Sequence, residues 1–213
     1  MMQTKKTNNS LAVLFAQLDC AAKCGDVKHQ AEIERKIYHQ YRKDDQLENA
    51  VKHAQNALAL YQTLEEPDIQ ASLLNDLGSL YQQKQNHDKA YESYIRAMQV
   101  REKNKDISGM AETRFNLAVL SLTAKNIREA VMGLLESQFV FLTLGKKQEF
   151  HKAAQLLGEI NNVLSDNDYK MFVKQCSTAI MREGVVWGEL EILSPDRIKD
   201  IISKLQTIAD EKR

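Results

Sequence analysis

The sequence predicts an all-α fold assembled from repeated antiparallel helix pairs, and three observations lead there. The first is composition. Its 213 residues include only 2 prolines and 8 glycines, little material for many tight turns, while long stretches of Ala, Leu, Gln, Glu and Lys favour helix. The second is the stretch Ala71 to Asn104. Leu74, Leu77, Leu80 and Tyr81 share one helical face there, and after the polar break Gln85-Asn86 the residues Ala90, Tyr94, Ala97 and Met98 share another. Two amphipathic helices joined by a short turn satisfy this pattern. Gly78 and Ala90 let the two backbones approach while Leu77, Tyr81 and Tyr94 fill the flanks. The third observation is recurrence: Ala50, Ala90 and Ala130 are 40 residues apart. The same step links Ile37, Leu77 and Leu117; Tyr38, Gly78 and Ala118; Tyr41, Tyr81 and Ser121; and Ala57, Ala97 and Ser137. Columns in register over successive copies define a repeat array.

The segment resembles a tetratricopeptide repeat. Leu77-Gly78, Tyr81, Ala90, Tyr94 and Ala97 fall at that family's signature spacings, with Glu102 where the family often has proline. The step of 40 exceeds the usual period of about 34, and copies of this longer kind are similar to those of kinesin light chains and bacterial peptide-sensing regulators. The resemblance covers about residues 27–182 and implies a right-handed superhelical solenoid of antiparallel helix pairs.

In chain order, residues 1–9 are polar and read as a flexible tail. Residues 10–26 read as an N-terminal capping helix, with Ser10 as N-cap, a stripe of Leu11, Leu14, Phe15 and Leu18, and Gly25 as the stop. The array follows over 27–186, in copies of about 27–66, 67–106 and 107–146 and a degenerate copy at 147–186. Asp44-Asp45 marks the turn of the first copy. Pro67 opens the second at a position where its missing N–H costs nothing. The third begins near Ile107 after a Ser108-Gly109 break, and its second helix, from Ile127 to Leu144, is apolar nearly all round. Such a helix is expected to be covered on more than one side, by the array or by an interface. In the degenerate copy Leu157-Gly158 keeps register, but Lys170 replaces the expected alanine. Its second helix is expected over Asp168 to Arg182, offering Phe172, Cys176, Ala179 and Ile180 to a neighbour. Gly184 and Gly188 break the chain around Trp187. Residues 187–213 form a C-terminal capping helix, started by Ser194-Pro195-Asp196 and striped by Ile198, Ile201, Ile202, Leu205 and Ile208.

The 29 basic and 29 acidic side chains balance, so no global field draws nucleic acid or an anionic membrane, and a protein partner is the better expectation. No segment approaches the roughly 20 apolar residues of a membrane span. Lys5-Lys6, Leu11 to Ala16 and Cys20 superficially resemble a lipoprotein export signal, but the apolar run is short, Gln17 interrupts it and Asp19 stands where a small residue is wanted. Three cysteines make no disulfide framework, and a cytoplasmic location is expected. Self-association through the helix carrying Phe139 and Phe141, or through the C-terminal helix, would give a homodimer.

Catalytic patterns are lacking: the sequence contains no phosphate-cradling glycine loop, no His-Glu-x-x-His pair and no Gly-x-Ser-x-Gly elbow. No enzyme activity, cofactor or metal is expected. Cys20, Cys24 and His29 could be imagined around a soft metal, yet small buried hydrophobes are the simpler reading of the cysteines. The pairs Asp44-Asp45, Glu65-Glu66 and Asp166 with Asp168 sit at turns and helix starts, where acids are solvated and complement the dipole. Trp187 is expected to close the C-terminal end of the core, with a partner anchor as its alternative.

The remaining surface is the groove. In the family resembled, the first helix of each pair lines the concave side and touches a peptide. Carried over by register, those places are Glu32, Arg35, His39, Arg42 and Lys43; then Ser72, Asn75, Asp76, Ser79, Gln82 and Gln83; then Glu112, Asn116, Val119 and Thr123. Arg35, His39, Arg42, Asn75, Ser79, Gln82, Asn116 and Thr123 are the expected partner-binding set. Short polar side chains can hydrogen-bond a peptide backbone, and guanidinium groups take carboxylates bidentately. Carboxylate-gripping relatives want basic residues where this chain has Glu112 and Asn116, which argues against that mode. The function expected is therefore a non-catalytic protein-binding scaffold, an adaptor, chaperone or regulator. Its alternative is a peptide sensor that changes partner or oligomeric state.

Overall fold

The computed structural model describes the backbone of residues 2–187 and 190–210, and the side chains of 10–165, 167–171, 173–187, 190–201 and 203. Phe172, Ile202, Leu205 and Ile208, assigned above to helix stripes, lie outside the described side chains, and Gly188 lies outside the described residues. The elements are α1 (Met2–Lys23), α2 (Val27–Lys43), α3 (Leu47–Thr63), α4 (Pro67–Gln83), α5 (His87–Lys103), α6 (Ile107–Thr123), α7 (Ile127–Thr143), α8 (Lys147–Val163), α9 (Asp166–Glu183), β1 (Val185–Trp187), β2 (Leu190–Leu193) and α10 (Pro195–Asp210). They form two compact units, residues 1–104 and 105–213.

The period of the array is set by its turns. From α2 to α8 every helix has 17 residues, and the backbone enters the left-handed region at Gly25, Asp45, Glu65, Gln85, Lys105, Lys125 and Gly145, every 20 residues. Each such residue reverses the chain while the orphan carbonyls of the preceding helix are satisfied. Asp45 N–H donates to Arg42 O at 3.2 Å and Gln46 N–H to Tyr41 O at 2.9 Å, and Gln85 and Asn86 repeat this on Gln82 and Tyr81. The next residue then starts a helix. Asp26, Asn86, Asp106 and Asn126 accept from the N–H groups of His29, Lys89, Gly109 and Glu129. Ser108-Gly109 is accordingly no break but part of the first turn of α6. At Gly145 an added Cβ would meet nothing within 4 Å, yet φ is +69°. Gly145→Ala is therefore expected to cost about 1 kcal/mol through backbone conformation alone, a loss that urea denaturation would read.

In the first unit α1 packs on α2, and the pairs α2–α3 and α4–α5 are joined through α3 and α4. Leu11 and Ala21 bury against Ile33 and Ile37, with Leu14, Leu18 and Tyr41 partly covered. The first helix thus covers apolar side chains of α2. The helix nevertheless begins at Met2, so the stretch read as a tail is helical and Ser10 does not cap it.

In the second unit α7 is flanked by α6, α8 and α9, which accounts for its apolarity. Phe141 and Val140 are buried there and Phe139 is half-buried. The fourth copy does not close like the others. Leu164 is extended, with ψ 157°, where earlier copies begin a left-handed turn, and α9 lies mainly on α7 rather than on α8. The cause is chemical: Lys170 and Lys174 stand where the second copy has Ala90 and Tyr94, and charged side chains cannot fill a close helix contact. The break expected around Trp187 is a two-stranded antiparallel hairpin, pairing Val185 with Leu193 and Trp187 with Leu190. Ser194 then caps α10, accepting from Arg197 N–H at 3.3 Å.

Candidate functional site

In the first unit the expected binding residues lie on α2 and α4. Ile33, Ile37 and Tyr38 of α2 turn inward, which leaves Arg35, His39 and Arg42 exposed. One η nitrogen of Arg42 donates both to Tyr38 Oη at 3.0 Å and to Asp76 Oδ1 of α4 at 3.3 Å, so the two first helices meet through a shared ion pair. Burial raises the pKa of Tyr38, with Asp76 adding to it, and keeps the phenol neutral. Desolvation lowers the pKa of His39; Asp76 opposes this and Arg35 and Arg42 reinforce it. His39, tilted against the Tyr38 ring, therefore contributes less positive charge than a free imidazole would. On α4 the residues Asn75, Asp76, Ser79 and Gln82 are half-buried, and Gln82 Oε1 accepts from Tyr94 Oη at 3.2 Å.

Asn116 and Thr123 belong to the second unit. Asn116 is half-buried and Thr123 exposed, but the Thr123 hydroxyl donates back to Leu120 O at 2.7 Å and is committed to its own helix. Glu112 is bridged by Lys146 Nζ at 2.8 Å. The polar set thus comes together around Arg42 and Asp76 in one unit, while its last two members stand in the other.

The second unit also has an apolar cavity that the expected set omitted. Leu122, Ile127, Leu156, Glu159, Ile160, Val163 and Leu164 line a volume of about 200 Å³. A signal was present in the sequence: Leu156 and Val163 follow Asn116 and Thr123 by 40 residues, so extending the first-helix positions into the degenerate copy reaches them.

Other candidates resolve differently. Cys20 and Cys24 are exposed, contrary to the buried expectation, and Cys176 is buried. Among the described residues no group of three or more His, Cys, Asp or Glu side chains is arranged to hold a metal. Trp187 is 4% exposed and its Nε1 donates to Glu136 Oε2 at 3.2 Å. Glu136 also accepts from Arg114 Nε at 2.6 Å, and Arg114 Nη1 reaches Glu129 at 2.8 Å. The indole is buried, as expected of a ring that closes the core, and is fastened to a half-buried ion pair. No helix among the described residues is long and apolar enough to cross a membrane.

Tandem antiparallel helix pairs with polar first-helix faces define a helical-repeat protein. Residues 69–134 match the model of the tetratricopeptide repeat family, and the helix pairs over that stretch are similar to its repeats. Repeats of this type serve in general as protein interaction modules. No curated protein matches the sequence. Among solved structures, BtubC (BKLC) from P. vanneervenii shares the fold with a TM-score of 0.69 at 15% identity, over 89% of this chain and 79% of that one. A putative kinesin light chain of Podosopora anserina with nearly identical tetratricopeptide-like repeats gives a TM-score of 0.57 at 14% identity, over 84% and 91% of the two chains.

Proposed function

We propose that this protein is a non-catalytic interaction module that holds a peptide or partner segment against its first-helix faces, as an adaptor, chaperone or regulator. The observation that supports this best is Arg42. Its side chain remains 40% exposed although Tyr38 and Asp76 fix it from two successive copies. A guanidinium held in place on an open surface loses little freedom on engaging a ligand, and its remaining N–H groups suit a carboxylate or main-chain carbonyls. Arg35 beside it adds a second exposed cation, and the amides and hydroxyls of Asn75, Ser79 and Gln82 continue the face on α4. The test is quantitative capture from native extract by the wild type and by an Arg35→Glu, Arg42→Gln variant of equal helicity. A partner retained by the wild type is expected to fall at least about tenfold in the variant, the loss of a single charge-assisted contact. Undiminished capture would overturn the assignment.

A further inference from the structure

The first-helix face that is polar on α4 is apolar on α8. Leu156 and Val163 occupy the positions of Asp76 and Gln83 in the second copy and of Asn116 and Thr123 in the third. The core does not absorb them: Val163 is 85% exposed and Leu156 half-buried. α9 packs mainly on α7 rather than on α8, Val163 at the C-terminal end of α8 stays open to solvent, and the cavity of about 200 Å³ lies there beside Leu122 and Ile127.

Size and charge together define an occupant. Small-molecule sites begin at roughly 300 Å³, so this volume suits one large side chain rather than a cofactor. Among the described residues Glu159 is the one ionisable group in the lining. It is exposed and accepts from Gln155 Nε2 through Oε1 at 2.9 Å. A carboxylate at the mouth of an apolar recess favours a cation next to whatever apolar group enters.

We propose that this cavity is an anchor pocket for one leucine, methionine or phenylalanine side chain of a bound peptide, with a neighbouring lysine or arginine drawn to Glu159. This rests on the reading of the first-helix faces as peptide-binding and adds the sequence class that the second unit selects. The test is selection of random dodecapeptides displayed on phage against the full chain, followed by affinity measurement of the enriched peptides. Wild-type protein should enrich peptides with an apolar residue beside a basic one. Those peptides should bind Val163→Asp and Glu159→Arg about tenfold more weakly, the loss of about 1.4 kcal/mol. Both substitutions lie at exposed positions and leave the fold intact, which circular dichroism would check. Enriched peptides that lack the pair, or that bind both variants as well as wild type, overturn the pocket. If their binding falls instead with Arg35→Glu, the broader interaction reading stands without it. If no peptide exceeds background, both fall.

Discussion

Replacing Gly78 by leucine is expected to cost about 3 kcal/mol and to lower the melting temperature markedly. A Cβ at this position would lie 2.5 Å from Cε1 and 2.6 Å from Cδ1 of Tyr94, and that ring is 1% exposed with its hydroxyl bound to Gln82. It has nowhere to move, so added bulk separates α4 from α5, and overpacking of this kind typically costs 1–3 kcal/mol or more. Gly158 occupies the same register position two copies later, and a Cβ there meets nothing within 4 Å. Gly158→Ala should accordingly stabilise by about 0.5–1 kcal/mol, the helix preference of alanine over glycine. Opposite signs at equivalent positions would show that closeness of the helices, and not glycine in a helix, sets the effect. Equal losses at both would contradict the packing described.

The second large effect is expected at Glu34. This carboxylate of α2 is 6% exposed, and its Oε2 lies 2.5 Å from Nδ1 of His53 on α3, itself 7% exposed. Asn56 Nδ2 donates to Oε1 at 3.0 Å, Tyr41 stacks on the imidazole and Phe15 of α1 meets it edge-on. Removing one partner strands the other, so His53→Ala or Glu34→Ala should each cost about 3–5 kcal/mol. Replacing both by apolar groups of similar volume, Glu34→Met with His53→Leu, should recover most of the loss, because no buried charge is then left unpaired. Chemical denaturation of the wild type, Glu34→Met, His53→Leu and the double variant gives the coupling directly. Additive losses in the double variant would show that the pair does not act as a unit.

Much of this fold was legible because its determinants are short-range. Columns such as Ile37, Leu77 and Leu117 record burial at helical spacing, and burial is what they do. The turns were legible only in part. Gly25 and Gly145 announce a left-handed residue, but Asp45, Glu65, Gln85, Lys105 and Lys125 adopt the same conformation without glycine, held by the carbonyls they satisfy. Where two distant segments cooperate the sequence is silent. Glu34 and His53 read as polar residues on two helices, and only folding reveals them as a buried pair. Val185 to Leu193 read as a break because three- and four-residue strands are too short to show alternation. In the candidate site the polar positions were carried over by register, whereas Leu156 and Val163 were given no place, since an apolar side chain does not reveal whether a later helix will cover it.

The measurement that most directly tests the first-helix faces as binding surfaces is capture from native extract with the substitutions on opposite sides of the repeats. Arg35→Glu with Arg42→Gln alters the first-helix side of the first copy, and Tyr91→Ser alters α5, where Tyr91 is 57% exposed. A partner retained by wild type and by Tyr91→Ser but lost by the arginine variant is the predicted result. Loss with Tyr91→Ser and retention by the arginine variant would place binding on the second helices and contradict it.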